Sequence, residues 1–126
     1  MRREYNKGDL RIVRNGVVQD VLLTELNQPH SVTVHNGDIF LCESLSSKVI
    51  KYPSMEEWKL RGYTRGLVVT DDLIICGISR INFRSSNKFK RAHLGYIDRR
   101  TNAISYTPRP KLSKQSEIYE VEILKQ

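Results

Sequence analysis

Cysteine is scarce in this chain: Cys42 and Cys76 are the only two. Two thiols without a neighbouring quartet of Cys or His make a poor zinc site. As buried free thiols they behave as small hydrophobes, and a reducing cytoplasm is the expected location. Long apolar runs are missing too, none approaching the roughly 18 to 20 residues that a membrane-spanning helix needs. The start, Met1-Arg2-Arg3-Glu4-Tyr5, has no apolar core of the kind that marks a secretory signal. No segment sustains a 3.6-residue apolar period, so long helices are not expected. His35 and His93 lack metal-ligand spacing, and no nucleophile stands beside a base. The six tyrosines are spread along the chain rather than gathered in an RNA-reading pattern.

What is present is a pattern of short strands and tight turns. The run Leu26-Asn27-Gln28-Pro29-His30-Ser31-Val32-Thr33-Val34-His35-Asn36-Gly37-Asp38-Ile39-Phe40-Leu41-Cys42-Glu43-Ser44, followed by Lys48-Val49-Ile50-Lys51-Tyr52, reads as three strands. Asn36-Gly37 between two apolar segments is a strong hairpin signal, because both residues tolerate positive φ. A degraded copy runs from Tyr63 to Ser79 and sets Leu67-Val68-Val69 over Val32-Thr33-Val34. Ser31 then falls over Gly66, His30 over Arg65, and Cys42 over Cys76 after a one-residue gap at Asn36. Ile118-Tyr119-Glu120-Val121-Glu122-Ile123-Leu124 reads as a shorter third copy. Four-strand units at this spacing are the sequence sign of a β-propeller blade; the alternative is a plain β-meander with accidental similarity.

The segment "LNQPHSVTVHNGDIFLCESLSSKVIKY" resembles an NHL-type propeller repeat: Pro, a small residue, an apolar inner strand, a turn, a second apolar strand, a small polar turn, then Val-x-x-Tyr. With Thr64-Arg65-Gly66-Leu67 and Glu117-Ile118-Tyr119-Glu120-Val121, the chain from about residue 8 to 124 is similar to the C-terminal part of a bacterial, largely uncharacterised family of propeller-like proteins. The resemblance implies an all-β fold and says little about function. Such proteins close rings of more blades than this chain can supply.

Strands are expected at 10–14 and 17–23, across Asn15-Gly16; at 31–35, 38–42, 48–52 and 56–60; at 66–70, 73–78, 94–98 and 103–107; and at 118–124. The expectation is therefore a single all-β domain over 1–126, a partial β-propeller. It has two complete four-stranded blades at about 31–60 and 66–107 and blade fragments at both ends. Inner strands 32–34 and 67–69 should be the most buried segments. Cys42 and Cys76 should end second strands of neighbouring blades, too far apart for the roughly 7 Å Cα separation that a disulfide requires. One copy gives about three blades, against roughly 4–8 in propellers. Exposed edges are an aggregation hazard, so a homo-oligomer, or a missing half of the ring, is expected to cover the hairpin and the 118–124 strand.

In propeller geometry the loops entering the inner strands line the axial mouth. His30 and Arg65 precede inner strands, and Glu117 and Glu120 flank a third. The 80–91 loop adds Arg80, Arg84, Lys88, Lys90 and Arg91 with no acidic residue. Basic side chains at a mouth attract anions, and Arg suits bidentate recognition of carboxylate or phosphate. The competing accounts are that His30 bonds a neighbouring loop, that Arg65 pairs with Glu117 or Glu120, and that the basic loop is a solvated insertion. Asp71-Asp72 reads as turn chemistry.

Three functions follow in order. The first is a binding module for a small anionic or sugar-like ligand, or a protein partner, at the axial mouth, with no cofactor. The second is a lactonase-like hydrolase or lyase with an axial metal, for which His30, Glu117, Glu120 and Glu43 are the only available ligands. The third is nucleic-acid binding, which the formal charge of +7 favours and the poor aromatic interleaving of the basic residues disfavours.

Overall fold

The computed structural model describes residues 7–79 and 92–107. Among them the chain forms strands and one short 3-10 turn, and no other helix. β1 (Lys7–Arg14) and β2 (Val17–Asn27) make a two-stranded antiparallel hairpin. β3 (Pro29–His35), β4 (Asp38–Glu43), β5 (Lys48–Tyr52) and β6 (Glu56–Lys59) form a four-stranded antiparallel sheet in sequential order. β7 (Tyr63–Val69), β8 (Leu73–Ser79), β9 (His93–Asp98) and β10 (Ile104–Tyr106) repeat that order in a second sheet. Every strand expected between residues 10 and 107 is present within a few residues. The expected strand at 118–124 lies outside the described residues.

Turn chemistry sets the hairpins. Asn15 and Gly16 have φ of 51° and 78°, and Asn36 and Gly37 have φ of 49° and 83°. Two successive left-handed residues give the backbone twist that matches the flanking strands. The two sheets then share more than strand order. Pro29 pairs with Glu43, His30 with Cys42, Thr33 with Phe40 and Val34 with Ile39. Thr64 pairs with Ile78, Val68 with Ile75 and Val69 with Ile74. Adding 35 to the pairs Pro29–Glu43, Thr33–Phe40 and Val34–Ile39 gives these three pairs of the second ladder, and each ladder has an irregularity in the same stretch, between His30 and Thr33 in the first and between Thr64 and Leu67 in the second. The repeat therefore holds without a gap. Cys42 corresponds to Gly77 and Cys76 to Leu41, which corrects the gapped alignment of the two cysteines.

The first sheet is buried on both faces. Phe40, Cys42, Val49 and Trp58 pack with Leu67, Ile74, Cys76, Ile78 and Ile97 of the second sheet. Leu41 and Ile50 pack on the other face against Leu10 and Leu26 of the hairpin. That is why Ile39-Phe40-Leu41-Cys42 reads as a continuous apolar run rather than an alternating one. A bond from Trp58 Nε1 to Asn102 Oδ1 (3.0 Å) ties the outer strand of the first sheet to the β9–β10 turn. Gly95 allows close stacking, since a Cβ there would lie 2.7 Å from Leu60 Cδ2.

One expectation needs correction. The inner strands are not the most buried: Val32 and Val34 are 55% and 68% exposed, whereas Phe40, Leu41 and Cys42 of β4 are at 0%. The cause is that β3 is the edge of its sheet. Val34 lies opposite Ile39, on the face where the buried leucines of the hairpin pack against Leu41 and Ile50 of β4 and β5. The two cysteines are the buried free thiols expected. Both are buried and free, and their Sγ atoms are 3.8 Å apart across the sheet interface. Contact with Cys42 and burial hold the Cys76 thiol well above its usual pKa.

Candidate functional site

The repeated bulge shapes one end of the two sheets. Its residues are Ser31 (φ 60°) and Gly66 (φ 86°), both left-handed. Glycine adopts that conformation freely; Ser31 is held in it, and its Oγ accepts a bond from Gly66 N–H at 2.7 Å. The two bulges are thus fastened to each other, and each carries its preceding residue, His30 or Arg65, at the same place in its sheet. His30 and Arg65 are close enough for the arginine's charge to act on the imidazole. Both are half-buried and lie within β3 and β7 rather than ahead of them.

A polar network fixes the histidine. Gln28, in a left-handed turn (φ 54°) between β2 and β3, aims its carbonyl at His30 Nδ1 (3.1 Å) and also accepts Ser44 N–H (3.1 Å). His30 Nδ1 lies 2.9 Å from Ser44 Oγ. The Ser44 hydroxyl donates to the carbonyl of Thr64 on the neighbouring sheet. A hydroxyl has one proton to give. Ser44 Oγ is therefore an acceptor toward the imidazole, as the Gln28 carbonyl must be. Nδ1 carries the proton, and Nε2 is the ring's remaining polar atom. Tyr63 donates its hydroxyl to Gln28 Oε1 (2.5 Å), and its ring stands 6.0 Å from the imidazole. Burial first, and then the Arg65 cation, push the His30 pKa below 6.5 against the pull of the Gln28 carbonyl. His30 is neutral at neutral pH. Of the two, Arg65 carries the charge and His30 is its uncharged neighbour.

Of the other expected site residues, Glu117, Glu120, Arg80 and Arg84 lie outside the described residues, as does the rest of the basic 80–91 loop. Glu43 is buried and spends one oxygen on Asn27 N–H (2.8 Å), closing the end of the hairpin onto β4. Among the described residues no three of His, Cys, Asp and Glu gather as metal ligands. No described helix is long and apolar enough to cross a membrane.

Ser44, Gln28 and Tyr63 carried no signal in the sequence beyond a small polar turn and a tyrosine at a strand start. Their roles depend on contacts across sheets. The same is true at the opposite end, where Asp71 does more than shape its turn. It accepts from Asn36 Nδ2 (2.9 Å) and meets His35 Nε2 (2.8 Å) on the neighbouring hairpin. These bonds hold its carboxyl below the usual range. Asp72 pairs with Arg100 at 2.8 Å. On the outer side, Arg61 Nε donates to His93 Nε2 (3.1 Å), and its guanidinium lies over the Tyr106 ring (3.8 Å). The first cluster stitches the two sheets together; the second ties the connection between β6 and β7 to β9 and β10.

No curated protein and no solved structure matches this chain. A family model does, over residues 2–126, and its description is a domain of unknown function. With almost its whole length matched, the chain belongs to that family, DUF4915.

Proposed function

We propose that this chain is a β-propeller-type binding module, akin to NHL repeats, whose rim at the start of β3 and β7 holds a small anionic or sugar-like ligand. The observation that carries the reading is the fastened pair of bulges, which sets His30 beside Arg65. Two four-stranded meanders with one register, stacked face to face with β3 close to β7, support the propeller geometry. Arg65 anchors the anion, since its planar fork makes two parallel charge-assisted hydrogen bonds. Arg65→Ala should weaken anion binding by about 2 kcal/mol or more, read by calorimetric titration with phosphate, sulfate and acetate. Unfolding in urea should change less. Should Arg65→Ala unfold the protein while the folded remainder binds normally, Arg65 is a structural ion-pair residue and the reading fails.

The same geometry favours completion of the ring by a second copy. Val32 and Val34 on β3 and Val13, Val17 and Val18 at the hairpin tip are exposed apolar side chains. Such a surface is unfavourable to leave in water. Light scattering at micromolar concentration should give a dimer or larger species. A monomer that stays soluble with these residues in water counts against it.

A further inference from the structure

We infer that the outer face of the second sheet is a docking surface for a second copy of this chain, and that the outer face of that copy's hairpin is what docks there. This rests on the reading of the chain as part of a ring that another copy completes. The layers stack in the order hairpin, first sheet, second sheet. The two ends of the stack are unlike surfaces, and among the described residues no element packs on either.

At one end, cross-strand pairing puts Val68, Ile75 and Tyr96 on one face of the second sheet. Strand alternation adds Leu73 and Leu94 to it. All five are half-buried, and none belongs to either core cluster. The 35-residue register says what this face is suited to. Val68 corresponds to Thr33, Ile75 to Phe40 and Gly77 to Cys42. Phe40 and Cys42 are the residues with which the first sheet packs on the second. Ile75 therefore holds the position that is fully buried one layer earlier, and its face continues the interface between the sheets by one more step.

At the other end, β1 alternates regularly. Leu10 faces the first sheet, so Arg11 and Val13 face away from it, with Val21 and Val18 opposite them on β2. Val13, Val18 and Val21 are 56%, 46% and 43% exposed. Arg11 is neutralised on the same face by Asp9 at 2.8 Å. Three valines beside a closed ion pair fit an apolar sheet face rather than a charged partner. Unlike ends meet head to tail. Two copies, each giving one hairpin and receiving one, make a closed stack of six layers, within the roughly 4–8 blades of propellers. A hairpin-to-hairpin dimer would leave both second-sheet faces in water.

The test uses the full chain carrying Val18→Cys and Ser105→Cys together, treated with a short bis-maleimide. Ser105 is exposed and shares the face of Tyr96, while the native Cys42 and Cys76 are fully buried. Val18 and Ser105 of one chain lie at opposite ends of the stack, so the link can form only between copies. The double variant should give covalent dimers on a denaturing gel, and each single variant should give monomers. In light scattering, Val18→Asp should raise the dimer dissociation constant at least about tenfold. Met55→Asp, at the exposed turn between β5 and β6, should leave it unchanged. A dimer that resists both the cross-link and Val18→Asp overturns this contact and leaves the ring reading standing. Cross-linking of Val18→Cys alone marks a hairpin-to-hairpin dimer and overturns it too. A wild-type monomer at micromolar concentration overturns the contact and the ring reading together.

Discussion

Phe40→Ala should cost about 3–5 kcal/mol of folding stability, the largest effect expected of any single substitution in the described residues. Phe40 is fully buried in the interface between the two four-stranded sheets. Its ring also lies 5.0 Å from the Arg99 guanidinium carbon. Truncation removes most of an aromatic side chain's buried area and leaves a cavity that both sheets line. Neither sheet can collapse into it freely, because β4 is held by β3 and β5 within its sheet and by the hairpin behind it. Against a typical total of about 5–15 kcal/mol for a small domain, the loss takes a large share of the margin. Urea unfolding should show a sharply lower midpoint. A change under about 1 kcal/mol would mean that the interface repacks readily and is not the principal core.

Ser44→Ala should cost less, about 1–3 kcal/mol, the usual penalty for leaving buried polar partners without their bond. Ser44 is fully buried although it is a serine in a turn. Its one hydroxyl serves the Thr64 carbonyl and the His30 imidazole together. Removing it orphans that carbonyl between the sheets and frees the Nδ1 proton to bond Gln28 alone. Stability should fall in urea unfolding, and the imidazole nitrogen resonances should change even where the protein remains folded. Stability within about 0.5 kcal/mol of the wild type, with unchanged imidazole resonances, would show that water replaces the hydroxyl.

The difference between the two substitutions mirrors what was legible in the sequence. Strands were readable because their signals are local: Asn15-Gly16 and Asn36-Gly37 specify hairpins by backbone conformation alone, and Ile39 to Cys42 declares a strand by its composition. The bulge is not legible as such, although the alignment of the two copies sets Ser31 over Gly66, the two left-handed residues. Burial was not readable. Val32 and Val34 look like core residues, and only the reach of a two-stranded hairpin across a four-stranded sheet decides that they lie in water. The cysteines misled for a related reason: matching them by identity cost a gap, whereas the ladder register pairs Cys42 with Gly77. In the candidate site, His30 and Arg65 could be proposed from position. Ser44 could not, because its function is set by a carbonyl that is 20 residues away and in another sheet.

β4 is sandwiched, with Phe40 and Cys42 facing the second sheet and Leu41 facing the hairpin. Repeat arrays ordinarily unfold piecewise, each unit answering only to its neighbours. Here the middle sheet cannot open on either side without exposing residues that the other side also needs. Hydrogen exchange should therefore find the β4 amides opening only with global unfolding, while the amides near the hairpin tip at Asn15-Gly16 exchange early. The rim shares that fate, since the Ser44 amide is bonded to the Gln28 carbonyl directly beyond the end of β4.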